Sequence, residues 1–269
     1  KTRTEIADIC YACAPYYWDK KVNSWMENPN GKHNGALYIG TEMELLEEID
    51  PILWAYMADV PQDHIEFNMY EEGEEERVDE AIRILENDAN IWLEYLPEFD
   101  ADAIEEIIEE HKIKHNISHV FFDYIYLTAE LTSEYTAKSK TKMVTREDQV
   151  LAGLSARLKQ MSRKYDVSIE SATQVNGNEK DESNRDQTIV RGSKAILDKA
   201  DAGVIAMPPT TKELKKIEPI LRQMVNKPQP NLVYSLYKNR GGKVNKIKIW
   251  LYINYGTMRT HDLFVTDYE

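Results

Sequence analysis

The chain has 269 residues, 42% of them hydrophobic and 30% charged. A chain of that size can bury a sizeable core, and its composition, with no low-complexity tract, makes a folded chain rather than a disordered one the default reading. No apolar run reaches the ~20 residues a membrane helix needs, and the best, residues 120–127, contains Asp123.

The first residues carry no signal-peptide pattern, and Lys1–Thr2 reads as a cut edge rather than a natural start. Two cysteines, Cys10 and Cys13, supply no disulfide framework, so a reducing cytoplasm is the expected compartment. The net charge of −14 argues at first against a nucleic-acid partner. Its distribution argues otherwise: residues 1–135 hold 9 Lys and Arg against 32 Asp and Glu, whereas residues 136–269 hold 24 against 15. Such an asymmetry permits an acidic outer surface and a basic working surface on one molecule. Acidic helices that merely keep the protein soluble explain the first half equally well.

In chain order, residues 2–14 read as a helix, with Ile6, Ile9, Cys10 and Cys13 at three-to-four spacing. Residues 15–34 read as a polar connection and 36–39 as a buried strand. Helix signals run from 44 to 57, Pro61 opens a further segment, and 74–87 is an acidic helix. Residues 91–96 read as a strand and 100–115 as a helix with Ile104, Ile107 and Ile108 on its apolar face. Residues 120–127 form an unalternating, aromatic-rich strand, as expected where a sheet is covered on both faces. A polar loop follows over 128–146, then a helix over 148–165, a strand over 167–173 and a second polar loop from 174 to about 190. The last part holds a strand over 202–207, an insertion with a helix over 208–230, and strands over 232–237 and 246–253 joined through residues 239–242. Alternating strands and helices predict an α/β fold with a mostly parallel sheet, closed by an antiparallel hairpin. Chemistry in such sheets gathers at the carboxyl ends of the strands. One rim should therefore carry Gly40, Thr41 and Glu42, Asp123 and Tyr124, and Thr173 and Gln174.

Asp123 ends an apolar strand, where an acid can hold Mg²⁺ for nucleotide hydrolysis; a helix cap or salt bridge explains it equally well. Glu42 ends the preceding strand and can deprotonate a water that attacks a γ-phosphate. Glu44 better suits an acidic helix N-terminus. Lys1 and Thr2 open a helix, the arrangement in which Lys contacts phosphates and the hydroxyl binds Mg²⁺, although the glycines of such a loop are absent. Lys238 and Arg240 flank a turn, from which cations can reach a neighbouring subunit's phosphates; a plain basic turn is the simpler reading. Residues 135–146 contain Lys138, Lys140, Lys142 and Arg146 and no acid, as suits a mobile loop on a phosphate backbone or a solvated surface loop. Cys10 and Cys13 read as core packing rather than a metal pair, and His111 with His115 lacks the further ligands a zinc site needs.

Taken together these segments resemble the C-terminal motor domain of DnaB-type replicative helicases. Lys1–Thr2 resembles the end of Walker A. Residues 36–43 are similar to the family strand ending in a Glu-Met pair, whose Glu is the catalytic base. Phe122–Asp123–Tyr124 resembles the Walker B Asp-Tyr signature, and residues 171–176 the Ser-Gln-Leu-Asn segment whose Gln senses the γ-phosphate. Residues 191–202 match the segment ending in Asp-Ala-Asp, and residues 237–241 the basic hairpin that reaches the next subunit. Thr173 stands in place of Ser, Glu170 brings a charge into a normally apolar strand, and Gly177 replaces Arg, as in a divergent, phage- or plasmid-like member.

The resemblance implies a RecA-like P-loop NTPase core in one motor domain over residues 1–269, starting within Walker A, with a helical insertion over 208–230. It implies Lys1, Thr2, Asp123 and Gln174 at ATP, Thr2 and Asp123 at Mg²⁺, Glu42 as base, and Lys238 and Arg240 acting in trans. Lys138, Lys140, Lys142, Arg146 and Arg191 would contact DNA. The implied partners are single-stranded DNA, copies of the chain in a hexameric ring, a primase and a helicase loader, with no membrane. Two rival readings are a RecA-like ATPase of recombination or helicase loading that does not unwind, and a degenerate, non-hydrolysing ring scaffold.

Overall fold

The computed structural model describes residues 2–31, 33–138, 146–173, 194–224 and 227–267. The chain divides into two compact units, Lys1–Thr173 with Tyr255–Met258, and Gln174–Asn254 with Arg259–Glu269.

The first unit is built on a parallel sheet ordered β4-β3-β5-β6. Its strands are β3 (Ala36–Gly40), β4 (Ile91–Tyr95), β5 (His119–Asp123) and β6 (Ser168–Ser171). The two central strands are β3, buried throughout, and β5, buried from Val120 to Asp123, which is why both read as unbroken apolar runs. The flanking β6 alternates exposed and half-buried residues, and Glu170 shares a hydrogen bond with Asp8, burial raising its carboxyl above the usual range. Helix α1 (Thr2–Cys13) packs on β5 and buries Ile6, Ile9, Cys10 and Cys13. It also packs against α2 (Asp50–Ala58), which in turn packs against α4 (Glu74–Asn87). Helix α5 (Ala101–His115) packs against α7 (Glu147–Tyr165), and α7 against β6.

Local signals explain where several helices start and stop. The Asp100 side chain accepts from the Ala103 amide at 2.8 Å, which caps α5. Its last turn carries Lys112, Lys114 and His115 against the helix dipole, and Asn116 ends it in the left-handed region at φ 52°. Helix α7 follows the same plan, from Glu147 and Asp148 in the first turn to Arg163 and Lys164 in the last. His111 and His115 serve the α5–β4 contact: His111 lies 3.3 Å from Glu94, and His115 stacks on Trp92.

Within the first unit the structure departs from the expected elements in four places. Residues 15–34 are more than a connection, since β1 (Tyr16–Asp19) and β2 (Ser24–Glu27) form an antiparallel hairpin. Trp18 pairs with Trp25 across it, ring edge to face, and the Arg77 guanidinium covers Trp18. The run from Leu45 to Ile49 is a π-helical turn that leads into α2. Strand β5 stops at Asp123 instead of continuing through 127. The expected loop over 128–146 begins instead as helix α6 (Ala129–Lys138), because the Thr128 hydroxyl caps the Leu131 amide and Leu131 is buried.

The second unit is an antiparallel sheet ordered β10-β9-β8-β7. Its strands are β7 (Ala202–Met207), β8 (Leu232–Asn239), β9 (Ile247–Ile253) and β10 (Thr260–Asp267). The predicted hairpin is β8–β9, here flanked on both sides. Two helices belong to this unit, α8 (Lys194–Lys199) and α9 (Thr211–Leu221). Helix α9 opens on a capping box between Thr210 and Glu213, and Glu213 also pairs with Lys248 of β9 at 3.0 Å. Ile217, Val233 and Trp250 form the local core, with Leu214, Leu221 and Phe264 packed on it.

Candidate active site

The parallel register sets Gly40 opposite Asp123 and Phe122 opposite Ser171, so the carboxyl ends of β3, β5 and β6 fall on one rim. Backbone and hydroxyl groups knit that rim together. Thr41 donates to the Asp123 carbonyl through its amide at 3.0 Å and its hydroxyl at 2.8 Å. The Ile125 amide reaches the Ala172 carbonyl at 3.0 Å, and the Leu96 amide reaches the Gly40 carbonyl at 2.8 Å.

Two phenols meet the two acids. Tyr38, fully buried in β3, donates to Asp123 Oδ2 at 3.1 Å. Tyr124, just past β5, donates to Glu42 Oε1 at 2.7 Å. Burial, and after it the neighbouring carboxylates, push both phenols up, Tyr124 to about 12, so both remain donors at neutral pH. Asp123 is buried, whereas Glu42 is exposed at the rim. Glu44 stands at the N-cap of the π-helical turn, where its amide donates to Glu48 Oε2 at 2.8 Å and its own side chain makes no capping bond.

Thr2 opens α1, and α1 packs on the strand that ends in Asp123. A hydroxyl and a carboxylate are hard oxygen donors and fit Mg²⁺, which commonly takes one or two protein carboxylates and completes its shell with water and substrate phosphates. Among the described residues no group of three or more His, Cys, Asp or Glu is placed to hold a metal alone. Farther along α1, burial and the Glu170 charge raise the Asp8 carboxyl. Lys1 and Gln174 lie outside the described residues.

In the second unit, Lys238 and Arg240 come together at the end of α8. Lys238 Nζ donates to the Leu197 carbonyl at 2.7 Å and to the Asp198 carbonyl at 3.0 Å. Arg240 donates to the Asp198 carbonyl at 3.1 Å and lies 3.6 Å from the Asp201 carboxylate. Burial and then the Arg240 charge lower the Lys238 pKa. Of the basic residues assigned to DNA, Lys138 ends α6 and pairs with Glu134 at 2.6 Å, and Arg146 pairs with Asp148 at 2.7 Å at the start of α7. Lys140, Lys142 and Arg191 lie outside the described residues.

The sequence reading placed Thr41 and Tyr124 on the rim without a task and gave Tyr38 none. The available signal was a tyrosine inside a buried strand, whose hydroxyl must find a partner when the ring is covered.

The family of the DnaB-like helicase C-terminal domain matches residues 22–259. The SPbeta prophage-derived uncharacterized protein YorI of Bacillus subtilis (strain 168) is 40% identical over 273 residues, covering all of this chain and 53% of YorI. The chain thus spans about half the length of that relative. Among solved structures, the ATPase domain of G40P superposes with a TM-score of 0.65 at 16% identity, over 86% of this chain and 75% of that one. A DnaB-like replicative helicase, described with its interactions with primase, gives 0.64 at 15% identity, over 86% and 51%. At such identities these two structures speak for the fold alone, a RecA-like core.

Proposed function

Because the chain belongs to the DnaB-like helicase C-terminal domain family, we propose that it is an ATP-driven motor that moves along single-stranded DNA and unwinds duplex. The observation that best supports this reading is the pairing of an exposed Glu42 and a buried Asp123 at the ends of neighbouring parallel strands. A buried acid suits a metal-bound phosphate, and an exposed one suits a water.

In this reading Lys1 and Thr2 hold the nucleotide phosphates, and Thr2 and Asp123 hold Mg²⁺. Mg²⁺, when bound, neutralises charge that builds on the phosphate oxygens. Glu42 takes a proton from the attacking water as the new bond to the γ-phosphorus forms and the bond to the β-phosphate oxygen breaks, leaving ADP and phosphate. Gln174 senses the γ-phosphate. Lys238 and Arg240 stabilise charge at a neighbouring subunit's nucleotide, which requires them to leave the carbonyls at the end of α8. Lys138, Lys140, Lys142, Arg146 and Arg191 follow the DNA backbone. A hexameric ring, a primase and a helicase loader complete the proposal.

The test is ATP hydrolysis with and without single-stranded DNA, beside Glu42→Gln. Hydrolysis that DNA stimulates and the substitution reduces by at least ~100-fold is expected. An assembled, nucleotide-bound protein that hydrolyses nothing would favour the scaffold reading. Strand displacement on forked DNA then separates a helicase from an ATPase that does not unwind.

A further inference from the structure

The rim contains a reciprocal exchange that the roles above do not use. Strand β3 lends Tyr38 to the acid of β5, and the residue after β5, Tyr124, is lent to the acid beyond β3. We propose that Tyr124 is a positioning residue whose phenol holds the Glu42 carboxylate in the orientation needed to take a proton from water. The inference rests on the reading of Glu42 as the base.

Three observations carry it. First, the acceptor is an exposed side chain with several rotatable bonds, which unheld would sample many directions. Second, the donor is rigid. Tyr124 is 8% exposed, follows directly on a buried strand and packs against Tyr126 with ring centroids 5.1 Å apart. Its neighbours are fixed too, since the Thr41 amide and hydroxyl both bind the Asp123 carbonyl and the Ile125 amide binds Ala172. A phenol set in such a frame fixes the carboxylate through Oε1 at 2.7 Å. Third, the neighbouring Tyr126 hydroxyl is shared between the backbone carbonyl of Pro97, at 2.7 Å, and the Thr41 side chain, neither of them an acid. Tyr124 reaches instead the carboxylate read here as the base. Orientation of this kind governs rate steeply, and a misplacement of about 1 Å costs on the order of 100-fold.

The variant is Tyr124→Phe, which keeps the ring and removes the hydroxyl. Its expected effect is a fall in kcat for DNA-stimulated ATP hydrolysis of about 10- to 100-fold, with KM for ATP and the thermal midpoint near those of the parent. Added to Glu42→Gln it should slow the reaction no further. In the nucleotide-free protein, the Glu42 side-chain carboxyl carbon should shift in the NMR spectrum toward that of exposed glutamates such as Glu47. Parental kcat with an unmoved Glu42 resonance would overturn the inference. So would equal losses in kcat, KM and thermal midpoint, which would make Tyr124 a brace. If the parent is active, Glu42→Gln is dead and Tyr124→Phe behaves as the parent, this inference alone fails. If Glu42→Gln retains full activity, the reading of Glu42 as base fails and takes this one with it.

Discussion

Gly40 ends β3, and its missing Cβ decides where Tyr38 can lie. A Cβ built there would stand 2.8 Å from Tyr38 Cε1 and 3.3 Å from its hydroxyl. The Tyr38 ring is fully buried and cannot swing aside. Gly40→Ala should therefore destabilise the protein by about 1–3 kcal/mol, as overpacking does, and should pull Tyr38 away from Asp123. Urea unfolding with an unchanged m-value and a lowered midpoint would report it; an unchanged midpoint would mean that the ring has room. The same scale explains why Asp123 and Glu42 are not interchangeable. One is enclosed at a central strand end and the other stands in solvent, so each suits a different partner.

Between elements, ion pairs decide what single helices cannot. His64, in α3 (Gln62–Glu66), meets Glu74 at the start of α4 at 2.7 Å. The Glu74 hydrogen bond raises the His64 pKa and outweighs burial, which lowers it. Burial pushes Glu74 up, yet the Glu71 amide, His64 and Arg77 outweigh it and bring Glu74 down. A raised histidine stabilises fully below its unfolded value of about 6.5, and that contribution is lost as pH rises through the folded value. A lowered glutamate stabilises above its unfolded value of about 4.3, and its share is lost as pH falls through the folded value. The pair is therefore strongest between those limits. The thermal midpoint of the parent should exceed that of His64→Ala by more at pH 6 than at pH 9. Equal differences at both pH values would remove the pair from the account. Lys238 and Arg240 act at the same scale, satisfying carbonyls at the end of α8 that the short helix leaves open.

At the scale of the whole molecule the charge asymmetry becomes a statement about DNA. The acids concentrate in helices such as α4 and α5, while the basic residues fall mostly in the second half of the chain. If Lys138, Lys140 and Lys142 each neutralise a phosphate of a single strand, replacing all three by Ala should reduce the slope of log affinity against log salt by about 2. An unchanged slope would remove residues 135–146 from the interface. Lys138 already pairs with Glu134, so its contribution requires that pair to open. The proposed action of Arg240 in trans makes a further demand. Mixed Arg240→Ala and Glu42→Gln subunits should regain part of the hydrolysis that each lacks alone, since some junctions then combine an intact Glu42 with an intact Arg240. Assembled mixtures that stay inactive would count against a two-subunit site.

Elements with strong local signals were legible in the residues alone. The acidic helix over Glu74–Asn87 and the strand Ala202–Met207 fell where their patterns put them, because a period of 3.6 or a short apolar run is a property of the chain itself. The buried strands β3 and β5 were legible for the same reason, and with them the rim that carries Glu42 and Asp123. The hairpin Tyr16–Glu27 was not, because its strands have only four residues each and hold together through Trp18, Trp25 and the Arg77 side chain of a distant helix. Helix α6 was hidden by a polar composition that a single buried Leu131 and a Thr128 cap overrode. Sequence by itself thus determined the order of strands and helices and the residue types at their ends. Only the tertiary structure decided which acid is enclosed, which tyrosine holds it, and what Lys238 and Arg240 touch, because those contacts join residues about 40 to 85 positions apart that no local pattern links.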